Sequence, residues 1–339
     1  MIRVAIVGTG GIAGICHLPA LRAESHRARV VAAVDVDAAR VRAFCAEHGI
    51  PAAHTSLPEM LDAERPDLVH ICTPPHQHAA QAVECLSAGA WAWCEKPACL
   101  SLAEYDTVTA AERGAYASVV SQHRFGSGAR HLRRIAPRLG RPLLALCVTA
   151  WYRGHEYFEV PWRGTWATEG GGPTMGHGIH QMDLLLSVLG DWTEVRAMAG
   201  TLDRRVETED VSLASVRFEN GAMASVVNSL LSPREESYLR FDFTEATVEL
   251  RHLYGYRNAD WSSTSELWDP PDDVPSSHSA QLALLLDAFE RGERPPLSGA
   301  EGRQALELVT GLYASAFTGR PVHRAELTVD HPFYGGARR

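Results

Sequence analysis

The run Ile2-Arg3-Val4-Ala5-Ile6-Val7 passes directly into Gly8-Thr9-Gly10-Gly11-Ile12-Ala13. An apolar, β-branched run without polar alternation suits a strand buried on both faces, the setting of a parallel sheet. Small residues at 8, 10 and 13 then fill the three positions of a G-x-G-x-x-G/A turn that leads a strand into a helix. Gly8 permits the tight turn, Gly10 lets another group approach the backbone, and Ala13 lets the helix pack closely on the strand. A second apolar run, Arg29-Val30-Val31-Ala32-Ala33-Val34, ends in Asp35. Together these segments read as one βαβ unit.

Such a turn offers unpaired N–H groups and the positive end of a helix dipole to phosphates. An acid about 20 residues further on is placed to accept hydrogen bonds from a ribose 2′-hydroxyl. Gly8, Thr9, Gly10, Gly11, Ile12, Ala13 and Asp35 are therefore candidate dinucleotide contacts. Asp35, reinforced by Asp37, repels a 2′-phosphate and favours NAD over NADP, while Arg40 leaves NADP open. The plainer alternative is an acid that only ends a strand.

The alternation continues with strands over 68–72, 90–94 and 116–120 and helices over 79–88 and 102–113. The expected fold class is α/β, a Rossmann-type doubly wound parallel sheet over residues 1–122. Ligands of such sheets bind beyond the carboxyl ends of the strands, where Thr73, Pro74, Glu95, Lys96 and Gln122 fall. His76 and His78 open a helix at that edge, either as ordinary first-turn residues or as cofactor contacts.

Residues 123–339 read differently. Strands over 143–151, 194–201, 211–218, 222–230, 238–244 and 246–250 follow one another across short turns. They predict an α+β domain with a large, mostly antiparallel open sheet. Residues 178–189 carry apolar side chains at helical spacing and stop at Gly190. Residues 256–277 read as a long loop, and helices are expected at 278–291 and 299–318.

The net charge of −9 argues against a nucleic-acid partner. No apolar stretch approaches the roughly 18 residues of a membrane span. The chain enters a strand at once, so no signal peptide is expected. Seven cysteines without a CxxC pair fit reduced thiols in a cytoplasmic protein.

The chain resembles the Gfo/Idh/MocA family of oxidoreductases over nearly its whole length. The resemblance rests on Gly8–Ala13, Thr73-Pro74-Pro75-His76-Gln77-His78, Glu95-Lys96-Pro97, Trp162-Arg163-Gly164, Gly170-Gly171-Gly172 and Gly178-Ile179-His180-Gln181-Met182-Asp183. It implies an NAD-dependent dehydrogenase for a secondary hydroxyl of a sugar, sugar nucleotide or cyclic polyol, working as a homodimer or homotetramer. It also implies Lys96 beside the reacting carbon and His180 as the group that exchanges the hydroxyl proton. Both roles suit the chemistry: an imidazole titrates near neutrality, and an ammonium stabilises a developing alkoxide.

His180 and Asp183 lie three residues apart on one helix face. Asp183 therefore orients the imidazole or binds a substrate hydroxyl. His177, His180 and Asp183 also raise a metal reading, which spacing does not favour, and no metal is expected. Arg163, His177 and Tyr157 are candidate substrate contacts, with Arg124 a further candidate. Trp151, Tyr152, Tyr157, Trp162 and Trp166 either stack on a sugar or fill a core. Many members of the family carry a carboxylate where this chain has Gly176. An NAD-using glycosidase and a non-catalytic NAD- or sugar-sensing regulator are the alternative functions.

Overall fold

A computed structural model describes residues 1–337. The chain divides into two compact units. The first comprises Met1–Cys99, Glu104–Val120 and His278–Arg303; the second comprises Leu100–Ala103, Ser121–Ser277 and the chain from Gln304 onward.

The first unit is built on β1 (Ile2–Val7), β2 (Ala28–Val34), β3 (Ala52–His54), β4 (Leu68–Ile71), β5 (Trp91–Cys94) and β6 (Ala117–Val119). Their order is β3-β2-β1-β4-β5-β6, and all pairs are parallel. Val4, Ile6, Leu68, Val69, Ile71 and Trp93 are fully buried, as the unalternating runs require. The helix Ala38–His48 begins where the Asp37 carboxylate accepts the N–H groups of Ala39 and Arg40, and it ends on the left-handed Gly49. β3 escaped the sequence reading because three residues show no period.

Gly8 has φ +87°, and a Cβ there would lie 2.8 Å from the Cys72 carbonyl. Only glycine fits the crossing of the β1 turn over the end of β4. The situation at Gly10 is the reverse: among the described residues, no atom beyond Gly10 and its chain neighbours lies within 4 Å of where its Cβ would stand.

The second unit holds β7 (Pro142–Tyr152), β8 (Trp192–Gly200), β9 (Val211–Phe218), β10 (Met223–Ser229), β11 (Leu231–Phe243), β12 (Thr247–Arg251), β13 (Trp261–Ser263) and β14 (Val322–His323). They form one eight-stranded sheet in the order β13-β12-β11-β7-β10-β9-β8-β14. Every pair is antiparallel except β10 with β7. Burial alternates along β9, so one face packs inward and the other is exposed.

Two elements correct the sequence reading. β11 starts at Leu231 and not at 238. Its register against β7 slips between Leu231 and Glu236, and the irregular span takes up Pro233, which has no N–H for a ladder. Within the expected loop over 256–277, β13 pairs with β12 and buries Trp261.

Candidate functional site

In the first unit, the Asp35 carboxylate closes the glycine turn. Its Oδ2 accepts the Thr9 N–H at 3.0 Å and the Thr9 hydroxyl at 2.9 Å. Its Oδ1 accepts the Asp37 N–H, and Arg40 Nη1 stands 3.5 Å away. Thr9 and Asp35 are buried, whereas Gly10 and Gly11 are exposed. The turn thus has a braced base and an open rim. Next to it, at the end of β4, the Thr73 hydroxyl donates to Gln81 Oε1 at 2.6 Å.

His78 is buried, with its ring nitrogens 2.7 Å from the Pro97 and Thr73 carbonyl oxygens. Burial holds its pKa below the ordinary value despite both bonds. The neutral ring therefore donates to one carbonyl at a time, and His78 ties the Thr73–Pro74 turn to the Glu95-Lys96-Pro97 turn. Lys96 is half-buried immediately after β5, and its N–H donates to Glu95 Oε2 at 3.2 Å. Glu95 is buried, and its Oε1 faces His17 Nε2 at 3.0 Å and His278 Nε2 at 2.8 Å. Burial pushes the Glu95 pKa up, but the two imidazoles outweigh it and hold it well below the usual carboxylate range.

In the second unit, a π-helical turn Thr174–Gly178 leads into the helix Ile179–Leu189. The buried Glu209 carboxylate anchors this start. It accepts the N–H groups of Gly172 and Thr174 at 2.9 and 3.1 Å and the Tyr313 hydroxyl at 2.9 Å. His177 and His180 are both buried on these two turns. The His180 ring packs edge-on against His123 and Tyr254, with centroids 4.9 and 5.7 Å away. Trp151 bridges Tyr254 and His177 at 4.8 and 5.3 Å, and Tyr157 lies 6.0 Å from His177.

Arg163 lies over Tyr157 and Trp162, its guanidinium carbon 3.9 and 4.2 Å from their ring centres. It also contacts the Tyr157 hydroxyl and pairs with Glu169 at 3.2 Å. Glu169 is buried, and its Oε2 accepts the Gly164 N–H at 2.6 Å. A Cβ at Gly176 would meet Glu169 Oε1 at 3.8 Å, so a carboxylate stands beside a position that carries none of its own.

Asp183 does not stand open to a ligand. Its two oxygens take a bidentate bond from Arg124 at 2.6 and 2.7 Å, and Oδ2 accepts the Ser121 hydroxyl at 2.6 Å. The carboxylate is thereby committed, which removes the third ligand from the His177/His180 metal reading. Gln122, in the turn Gln122–Arg124, is buried, and its Oε1 has no hydrogen-bond partner among the described residues.

The second unit therefore gathers His180, His177, Tyr157 and Arg163, while the first gathers the glycine turn, Asp35, Thr73, Pro74, His78, Glu95 and Lys96. Tyr254, His123 and Glu169 were missed. Tyr254 lies in a stretch without periodicity, and no local signal marks the other two. His17 and His278 were missed as well; only folding brings them to Glu95.

Comparison with known proteins agrees with this geometry. Residues 2–123 match the family model described as an oxidoreductase family with an NAD-binding Rossmann fold. Residues 133–249 match the C-terminal domain of the same family. Fold and turn thus define an NAD-binding oxidoreductase. The chain belongs to the Gfo/Idh/MocA family.

It is similar to the WlbA dehydrogenase of Bordetella pertussis, solved in complex with NADH and UDP-GlcNAcA. The two share 28% identity and a TM-score of 0.87, covering 95% of this chain and 98% of that one. It is 26% identical to the 1,5-anhydro-D-fructose reductase of Ensifer adhaerens, over 94% of this chain and 98% of the relative. It is 25% identical to the D-glucoside 3-dehydrogenase of Escherichia coli K12, over 95% and 97% of the two chains.

Proposed function

We propose that this oxidoreductase is an NAD-dependent dehydrogenase acting on a secondary hydroxyl of a sugar, sugar nucleotide or cyclic polyol. The observation that carries the reading is the Gly8–Ala13 turn, braced from below by Asp35 and clear of protein atoms at Gly10. That opening suits a pyrophosphate against bare backbone, and the orphaned Oε1 of Gln122 suits a donor such as an amide. Gly8, Thr9, Gly10, Gly11, Ile12, Ala13, Asp35, Thr73, Pro74, His78, Glu95, Lys96 and Gln122 are assigned to holding the cofactor. When bound, the nicotinamide supplies a hydride acceptor or donor.

His180 takes the hydroxyl proton as the carbinol carbon is oxidised and returns it in the reverse direction. Lys96, as an ammonium, stabilises the developing alkoxide. Tyr157, His177 and Arg163 are assigned to the substrate, with Trp151 and Tyr254 offering ring faces for a sugar. Asp183 acts through Arg124, holding the start of the His180 helix in place. The reading is supported by relatives that act on glucosides and anhydro-sugars and by the WlbA complex with a UDP-sugar.

A homo-oligomer is supported by Met198 and Leu213, which pair across β8 and β9 and are both exposed. The cytoplasm as the site of action is supported by seven free cysteines. Among the described residues, no helix is long and apolar enough to cross a membrane.

The test is absorbance in the reduced-nicotinamide band with NAD, then NADP, across inositols, aldoses, sugar acids and UDP-sugars. A signal with NAD that His180→Ala abolishes supports the reading. Sugar release without net NADH would replace it with the glycosidase. NAD binding without turnover of any kind would replace it with the sensor.

Cofactor choice has its own check. Asp35→Asn removes the charge that repels a 2′-phosphate while keeping an oxygen for Thr9. The ratio of kcat/KM for NADP over NAD is expected to rise about 10- to 100-fold, the size of one or two charged hydrogen bonds. An unchanged ratio would show that Asp35 only braces the turn.

A further inference from the structure

Within the second unit, the loop before the His180 helix closes around one carboxylate. Gly164 has φ +72°, and a Cβ there would lie 2.6 Å from Val206 Cγ1, so the turn suits glycine alone. Its N–H donates to Glu169 Oε2 at 2.6 Å, and the Glu169 N–H donates to the Thr165 carbonyl at 3.1 Å. Arg163 Nη1 meets Glu169 Oε1 at 3.2 Å while its guanidinium lies on the Tyr157 ring. Glu169 is 5% exposed. Its carboxylate is therefore held in one place, with a donor on each oxygen.

Oε1 borders an opening. From 169 to 186 every residue is buried except Gly176, which is partly exposed. Among the described residues, and outside its own neighbours in the helix, a Cβ on Gly176 would meet only Glu169 Oε1, at 3.8 Å. That is an ordinary van der Waals distance, and the rest of the direction is clear. Bare backbone, reached by solvent, thus lies beside a fixed carboxylate oxygen. Gly176 directly precedes His177 and stands about one helical turn, roughly 6 Å, before His180. One sugar ring spans that distance.

We propose that Glu169 is a specificity-determining residue, whose Oε1 accepts a hydrogen bond from a second substrate hydroxyl seated over the backbone of Gly176. The proposal rests on the dehydrogenase reading and deepens it. The substrate becomes a sugar or polyol with a free hydroxyl near the one oxidised at His180. A hydroxyl bound to a carboxylate makes a stronger bond than one bound to a neutral acceptor. A carboxylate or phosphate at that position is repelled by Glu169, and a deoxy carbon has nothing to donate.

A purely bracing role for Glu169 is the competing account, since Gly164 and Arg163 both lean on it. A brace weakens every substrate alike, whereas a hydroxyl acceptor weakens only those that carry the hydroxyl.

The experiment uses the full-length protein, NAD, and the panel sugar giving the strongest NADH signal, together with its monodeoxy analogues. In Glu169→Gln the KM for the parent sugar is expected to rise about tenfold, the difference between a charged and a neutral hydrogen bond, with kcat little changed. For one monodeoxy analogue the same variant should match wild type, because that bond is already absent. Gly176→Ser covers the case of a misfolded Glu169 variant. Its Cβ has room, and its own hydroxyl takes the place of the substrate's. The KM for the parent sugar should again rise about tenfold, with the same analogue unaffected. An equal penalty across all analogues, or none for the parent, would overturn the proposal and leave Glu169 a brace. Calorimetry of the panel sugars on the NAD complex separates this result from the dehydrogenase reading. If a sugar binds without turnover, that reading has failed, and the same comparison of variants and analogues by Kd decides the subsite. Binding of no panel sugar overturns the proposal.

Discussion

His180→Ala is expected to lower kcat by about 10²–10⁴-fold, the range for loss of a positioned general base. Lys96→Met is expected to act similarly, because an oxyanion partner contributes about 10²–10³-fold. The affinity for NAD should stay near normal in both variants: His180 is not among the residues assigned to the cofactor, and Lys96 is only one of them, the Gly8–Ala13 turn and Asp35 being assigned to the pyrophosphate and ribose. Single-turnover absorbance of reduced nicotinamide measures the first quantity, and calorimetry with NAD measures the second. If either variant loses NAD binding while its residual complex turns over normally, that residue is structural and the catalytic assignment fails. His180 is 3% exposed and lies among the rings of His123 and Tyr254, so circular dichroism should accompany the kinetics to confirm folding.

Arg124→Ala is expected to destabilise the protein by about 3–5 kcal/mol, enough to lower Tm by several degrees. Arg124 and Asp183 side chains are each only 4% exposed and meet in a bidentate pair. Removing the guanidinium leaves a buried carboxylate that still accepts the Ser121 hydroxyl but has lost its counter-charge. The double variant Arg124→Met, Asp183→Leu should recover much of the loss, because a buried pair replaced by apolar groups is often near neutral. Urea denaturation at pH 7 distinguishes the two. A single variant as stable as wild type would mean that the pair does not hold the start of the His180 helix.

The parts of the fold that were legible are those whose information is local. β1, the glycine turn and β2 follow one another within 34 residues, and each is marked by composition or period. β3 and β13 were not legible because three residues carry no period and take their strand geometry from a neighbour. The start of β11 was hidden by Pro233, which argues against a strand until the register slip that accommodates it is seen.

The candidate site divides in the same way. Lys96 and His180 stand in short motifs that survive without coordinates. Asp183 was read as sharing a face with His180, whereas its carboxylate takes a bidentate bond from a guanidinium 59 residues away. Glu169 fills in beside Gly176 through the fold of the 154–169 loop, which no spacing reveals.

By itself, the sequence determined the βαβ beginning, the parallel sheet, the family and the two residues assigned to the chemistry. These depend on neighbours in the chain, whose spacing dictates strand, turn and helix directly. Tertiary structure alone decided the partners: Arg124 for Asp183, Glu169 beside Gly176, and His278 returning across 183 residues to Glu95. Such pairings arise because a buried charge must find a counter-charge wherever packing brings one within about 3 Å, and chain separation plays no part in that requirement.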